Sequence, residues 1–230
     1  MSNIVEMKNI RFSWKGQSAF SMELENFTVK KGESLLLLGP SGSGKSTFLS
    51  LLCGIITPDS GTVKILGQDL KALGGAGREH FGIIFQMFNL LPYASVIDNV
   101  VLPLSFAKQR KKSLMAKGDI NTEAIRLLER LGLTNENLNK KTAAQLSVGQ
   151  QQRVAAARAL IGSPEIIVAD EPTSSLDRQM QVHFLELLSE EVFKADSNLI
   201  MVSHDETLAP NFDHVMNITD MINLHKAAAQ

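Results

Sequence analysis

The segment Gly39-Pro40-Ser41-Gly42-Ser43-Gly44-Lys45-Ser46-Thr47 restricts this chain more than any other stretch. It fits G-x-x-x-x-G-K-[ST], a loop that wraps phosphate groups. The apolar run Leu35-Leu36-Leu37-Leu38 before it is short enough for a buried strand, and residues 46–53 after it have helical character. Glycines at 39, 42 and 44 let the backbone turn tightly, so successive N–H groups point at phosphate oxygens with no Cβ in the way. The helix that follows presents its positive end to the same anion. Lys45 adds a full charge for the β- and γ-phosphates, and the Ser46 hydroxyl is placed to ligate Mg²⁺. A nucleotide site is predicted; its use must be read from the rest of the chain.

At 230 residues the chain suits one large domain or a main domain with a subdomain. Its formal charge of −1 offers no basic face for DNA or RNA, so no nucleic-acid partner is expected. The single cysteine, Cys53, excludes an internal disulfide framework and fits a reducing compartment. It falls on the helix after the phosphate loop, where a buried apolar role is expected. The first residues lack a basic region followed by an apolar run, so no signal peptide is expected. Residues 81–106 are the longest stretch poor in charge, but Gln86, Asn89, Pro92, Asp98 and Pro103 interrupt it. No window reaches about 18 apolar residues, and no transmembrane helix is predicted.

Residues 4–12 and 21–30 read as strands; Met22-Glu23-Leu24-Glu25 alternates apolar and polar, as a half-buried antiparallel strand does. Trp14, between them, is either a packing residue or a flat platform for an adenine ring, with Phe12 its nearest competitor. Pro58-Asp59-Ser60-Gly61 is a turn, and Thr62-Val63-Lys64-Ile65-Leu66 a strand ended by Gly67. Phe81-Gly82-Ile83-Ile84-Phe85 reads as a strand that delivers Gln86 to its end. From about 87 to 146 the pattern is helical, most clearly over 119–131. There Ile120, Ala124, Leu127, Leu128 and Leu131 share a face and Gly132 supplies a stop. This region reads as a helical insertion. Within it Lys108-Gln109-Arg110-Lys111-Lys112 reads as a solvated loop, the alternative being contact with anionic lipid head groups or an acidic partner. Phe85, Met87, Phe88, Leu90, Leu91 and Tyr93 form an apolar cluster, mostly core, with Met87 and Phe88 as candidates for a docking groove.

Ile166-Ile167-Val168-Ala169-Asp170 is apolar as a covered parallel strand should be. A helix over about 178–193 and a strand over 198–203 follow, with His204 directly after. Strands alternating with helices argue for an α/β core with a largely parallel sheet, whose ligands bind at the carboxyl ends of the strands. Leu38, Phe85, Ala169 and Ser203 each end a strand and hand a polar group to that edge. Asp170 is placed to hold Mg²⁺, and Glu171 is the candidate general base for an attacking water. Without the phosphate loop, the pair would read as a solvated strand end. His204 is a structural histidine taken alone and a γ-phosphate sensor in this setting. Gln86 is placed to ligate Mg²⁺ or to position the water. His80, His183, His214 and His225 read as surface residues. Leu146-Ser147-Val148-Gly149-Gln150-Gln151-Gln152-Arg153 opens a helix running to about Ile161. Its Ser147 is a plain N-cap or part of a second anion site.

Together these segments resemble the ATP-binding-cassette family. Residues 39–47, Gln86, Leu146-Ser147-Val148-Gly149-Gln150, residues 166–171, Ser174-Ser175-Leu176-Asp177 and His204 keep that family's order and spacing across nearly the whole chain. The resemblance implies an α/β fold: a P-loop NTPase core with a mostly parallel sheet, an N-terminal antiparallel β subdomain and a helical subdomain. Residues 1–86 and 147–230 would form the core and 87–146 the helical subdomain, extending into a signature helix over 147–161. ATP and Mg²⁺ are the implied cofactors. Trp14, Gly39, Pro40, Ser41, Gly42, Ser43, Gly44, Lys45, Ser46, Thr47, Ser147, Gly149 and Gln150 match nucleotide-binding positions. Ser46, Gln86 and Asp170 match metal positions, and Glu171, His204 and Gln86 catalytic ones. Two copies are implied head to tail, with ATP between the phosphate loop of one and residues 147–150 of the other, and with Asp177 helping to join the sites. A membrane permease would dock a short helix on the insertion, which places the chain on the cytoplasmic side of the inner membrane.

Two positions depart from the family pattern. Val148 stands where Gly is usual, so the backbone there is expected to suit a β-branched residue. Trp14 replaces the commoner Tyr and keeps the π-face. Phe88-Asn89-Leu90-Leu91-Pro92, Asp98-Asn99-Val100 and Leu102-Pro103-Leu104 resemble the lipoprotein-release and macrolide-efflux branch, although solute importers carry similar motifs. A DNA-maintenance ATPase would need a long coiled coil between 47 and 147, for which there is no room. A ribosome-acting cassette would normally carry two phosphate loops. Glu171 after Asp170 argues for hydrolysis over a small-molecule kinase, and Val148 keeps a non-hydrolysing ATP-gated clamp as an alternative.

Overall fold

A computed structural model describes residues 2–14, 20–134 and 141–226. Its strands are β1 (Asn3–Ser13), β2 (Phe20–Lys30), β3 (Ser34–Leu38), β4 (Ser60–Ile65), β5 (Gln68–Asp69), β6 (Phe81–Ile84), β7 (Ile166–Asp170), β8 (Asn198–Ser203), β9 (His214–Asn217) and β10 (Ile222–Lys226). The chain divides into two compact units, Met1–Arg78 with Ile200–Gln230, and Glu79–Leu199. Both combine strands and helices, and the fold is α/β.

The first unit holds an antiparallel sheet in the order β10-β2-β1-β4-β5. Alternation dictates its buried face: Met7 lies opposite Phe27, Ile10 opposite Leu24, and Phe12 opposite Met22, and all six are buried. Cross-strand apolar pairs of this kind contribute about 0.2–1 kcal/mol each. The same unit contains β3 and its parallel partner β9, with Leu35 paired to His214 and Leu38 to Asn217. Asp213 fixes the entry to both strands, accepting from Ser34 N at 2.8 Å and from Ser34 Oγ at 2.7 Å. The helix Lys45–Leu52 buries Phe48, whose ring meets Phe27 edge-on at 5.0 Å. Cys53, at its end, is buried as expected, and burial pushes its thiol pKa up.

In the second unit β6 and β7 pair in parallel, from Phe81 opposite Ile166 to Ile84 opposite Ala169. The helix Val148–Leu160 turns a face of small residues inward, with Ala155, Ala156, Ala157 and Ala159 all buried. Those side chains let its backbone come so close to β6 that a Cβ on Gly82 would lie 2.0 Å from the Ala159 carbonyl oxygen. The helix expected over 119–131 is Ile120–Arg130, capped by Asp119, whose carboxylate accepts from Thr122 N. Ala124, Leu127, Leu128 and Leu131 are buried along its inner face.

Two expectations need correction here. Residues 108–112 lie in the helix Lys108–Met115 and not in a loop; Lys108, Gln109, Lys111 and Lys112 are exposed as expected, but Arg110 is buried. Arg110 turns inward and donates to the carbonyls of Phe81 (3.1 Å), Glu79 (3.5 Å) and Ile161. Its burial draws its pKa down to about 10. His80 is likewise not a plain surface residue: its Nδ1 sits 3.1 Å from Glu165 Oε2, and that contact raises its pKa. His183 and His214 are exposed, the latter 3.2 Å from Glu33, while the side chain of His225 lies outside the described part. In the apolar cluster after Gln86, Phe88 is buried, while Met87 and Tyr93 are exposed.

Candidate nucleotide site

In the first unit the phosphate loop joins β3 to the helix Lys45–Leu52. Gly42 and Gly44 take φ of +75° and +87°, a left-handed conformation that costs an L side chain dearly. Ser43 N donates to Pro40 O at 3.2 Å, which folds the loop back on itself. Gly44 occupies the helix N-cap and offers no side-chain cap, so the first-turn N–H groups open toward the loop. Lys45 is buried, 6% exposed, and its Nζ donates to Gly39 O at 2.7 Å and Pro40 O at 3.0 Å. The Ser43 hydroxyl is buried with no hydrogen-bond partner among the described residues. A buried cation, an orphaned hydroxyl and a helix N-terminus on one loop fit a bound phosphate chain. β3 lies between β8 and β9, and Gly39 N donates to Ser203 O at 3.2 Å. His204 therefore emerges one residue from a direct contact with the loop and is exposed. Ser46 is exposed and Thr47 partly so.

Trp14 is 45% exposed and packs edge-on against Phe12 at 5.1 Å. Phe12 itself is buried and has no open face.

In the second unit the register of β6 and β7 brings Gln86 and Asp170-Glu171 past the same ends of adjacent strands. Gln86 is exposed, and Asp170 and Glu171 are partly buried. Glu171 has φ of 45°, a conformation sparsely used by residues other than glycine, and its carbonyl accepts from Ser174 N at 3.2 Å. Such strain collects where a side chain must be aimed. Ser147 caps the helix Val148–Leu160 in a reciprocal capping box: its Oγ accepts from Gln150 N at 3.4 Å, and Gln150 Oε1 accepts from Ser147 N at 3.1 Å. Val148 is the first helical residue, exposed and without positive φ, so its β-branch is accommodated. Asp177 caps the helix Arg178–Lys194, accepting from Met180 N at 2.9 Å.

Sequence reasoning passed over Arg158. It is buried on the alanine-rich face and donates to the carbonyls of Asn89, at 2.7 Å, and Phe88. The signal was available: a charged residue in the run Ala156-Ala157-Arg158-Ala159 has to find acceptors.

Residues 23–174 match the family described as ABC transporter. The chain belongs to that family. Among its relatives in the family, the macrolide export ATP-binding/permease protein MacB of Chlorobium luteolum is 40% identical over 197 residues, which are 84% of this chain and 28% of that one. The methionine import ATP-binding protein MetN 1 of Pseudomonas fluorescens is 36% identical over 208 residues, 88% of this chain and 60% of that one. A solved ATP-binding cassette, a dimer in a post-hydrolysis state bound to ADP and Pi, aligns with a TM-score of 0.76 at 30% identity, covering 98% of this chain and 100% of that one. This ABC family chain thus has the cassette fold and spans about a third of the length of the MacB relatives it matches.

Proposed function

We propose that the chain is the ATP-binding and ATP-hydrolysing part of a membrane transporter. The observation that carries this reading is the buried Lys45 inside a loop of left-handed glycines at a helix N-terminus. Residues 39–47 hold the phosphates and Trp14 stacks on the adenine. The oxygen donors of Ser46, Gln86 and Asp170 suit a hard cation shared with the phosphates, and Mg²⁺ there would neutralise developing charge. Glu171 orients a water and takes its proton as the water oxygen attacks the γ-phosphorus and the bond to the β–γ bridging oxygen breaks. His204 contacts the γ-phosphate. Ser147, Gly149 and Gln150 complete the site of a second copy, so closure of a head-to-tail dimer depends on ATP, and Asp177 links the two sites.

Among the described residues no helix is long and apolar enough to cross a membrane. The ATPase motion is passed to a permease, as the names of the ATP-binding/permease relatives suggest, and the permease holds the chain at the cytoplasmic face of the membrane. Exposed Met87 and Tyr93, in the turns between β6 and the helix Val96–Val101, supply apolar surface for that contact. The macrolide-export relatives favour an exporter or mechanotransmitter, and the MetN relative supports a second reading as the ATPase of a solute importer. Phosphate release from Mg-ATP by the purified chain tests the activity. Hydrolysis that survives Lys45→Ala would refute the site.

A further inference from the structure

Gln86 is presented by a turn that is gripped from a distant helix. Phe88 N donates to Phe85 O at 2.9 Å, closing a turn with Gln86 and Met87 at its central positions. The next two residues are left-handed, with φ of 58° at Phe88 and 50° at Asn89. Two consecutive non-glycine residues in that region persist only where their surroundings over-determine them. Asn89 N donates to Met87 O at 2.6 Å, and the Phe88 ring is buried. The strongest restraint is Arg158, whose Nη1 donates to Asn89 O at 2.7 Å and whose Nη2 donates to Phe88 O. Burial lowers the pKa of Arg158, so these carbonyls offset the cost of a desolvated charge. Beyond the turn, fully buried Asn99 pins Leu91, accepting from its N–H at 2.8 Å and donating to its carbonyl at 3.0 Å.

We propose that Arg158 is a positioning residue for ATP hydrolysis: by gripping the Phe88 and Asn89 carbonyls it sets the turn that aims Gln86, and so ties Gln86 to the helix whose first turn carries Ser147, Gly149 and Gln150. The inference rests on the role given to Gln86 under the proposed function. About 16 Å of helix separates Ser147 from Arg158, short enough to act as one rigid rod. A displacement of the capped end by a second copy of the chain is then delivered to the Gln86 turn. The planar fork of arginine spans two adjacent carbonyls, which the point charge of a lysine does not.

The test combines steady-state hydrolysis by wild type, Arg158→Lys, Gln86→Ala and the double variant with amide exchange of residues 87–91 in nucleotide-free protein. A misplacement of about 1 Å costs on the order of 100-fold in rate. Arg158→Lys is expected to lower kcat by about 10- to 100-fold, with KM for ATP within about twofold, and to add less than about twofold in the Gln86→Ala background. Exchange over 87–91 is expected to quicken at least about tenfold. An equal loss of kcat in both backgrounds, or unchanged exchange, overturns the proposal. Wild-type kcat in Gln86→Ala overturns it through the role of Gln86 itself, a failure told apart by the exchange result. Should Arg158→Lys not fold, Asn89→Pro forbids the left-handed φ while leaving Arg158 in place. A kcat loss absorbed by Gln86→Ala then supports the proposal, and wild-type kcat overturns it.

Discussion

Removing one carboxylate, by Glu191→Gln, tests how the helix Arg178–Lys194 is tied to the helix Ile120–Arg130. Glu191 is 3% exposed. Its oxygens accept from Arg126 Nη1 at 2.8 Å, Lys194 Nζ at 2.9 Å and Arg130 Nε at 3.1 Å. Burial by itself would raise its pKa, but the hydrogen bonds from Arg126, Lys194 and Arg130 outweigh burial and hold the carboxyl at about 2, below the ordinary 4.5. Because the folded value is the lower one, the network stabilises the fold fully above about pH 4.5 and is lost as the pH falls toward 2. The difference corresponds to about 3 kcal/mol at pH 7 and about 2 kcal/mol at pH 3.5. The glutamine keeps the shape and removes the charge, while Arg126 retains Glu123 and Arg130 retains Glu190. Urea unfolding followed by circular dichroism is therefore expected to show a deficit of about 3 kcal/mol at pH 7 that shrinks by roughly a third at pH 3.5. A deficit that stays constant between the two pH values, or lies below about 1 kcal/mol at pH 7, would refute the account of this cluster.

Gly82→Ala places a Cβ 2.0 Å from the Ala159 carbonyl oxygen, so β6 and the signature helix must separate. A loss of about 2 kcal/mol or more is expected in the same unfolding assay, and wild-type stability would contradict the packing described. Trp14→Ala should weaken ATP binding about tenfold or more in calorimetry, since a stacked base is worth roughly 1–3 kcal/mol. With Phe12 buried, unchanged affinity would leave the adenine without a ring in this loop. Val148→Gly changes an exposed first helical residue and should cost less than about 1 kcal/mol; a larger loss would show that Val148 packs.

Where local pattern decides structure, the sequence was readable. The strands at 166–170 and 198–203 are bounded by their apolar runs, and the helix Ile120–Arg130 by its apolar stripe and by Asp119. β1 and β2 differ from the expected spans by at most one residue at either end. What was hidden depends on partners far away in the chain. In the basic run at 108–112, four residues are exposed, and only Arg110 is drawn inward, by carbonyls at residues 79, 81 and 161. The left-handed backbone at Phe88, Asn89 and Glu171 has no glycine to announce it, because tertiary contacts and not local propensity hold it. In the phosphate loop the motif at 39–47 named the residues, while the inward fold of Lys45 came only with three dimensions; so did the grip of Arg158 on the turn after Gln86.

The proposed head-to-tail dimer requires each chain to carry half of a hydrolytic site. Light scattering of Glu171→Gln eluting with Mg-ATP tests it most directly. The variant is expected to bind ATP, release no phosphate and elute at twice the mass of the nucleotide-free chain. A Glu171→Gln protein that stays monomeric with ATP bound, or that hydrolyses ATP at the wild-type rate, would contradict it.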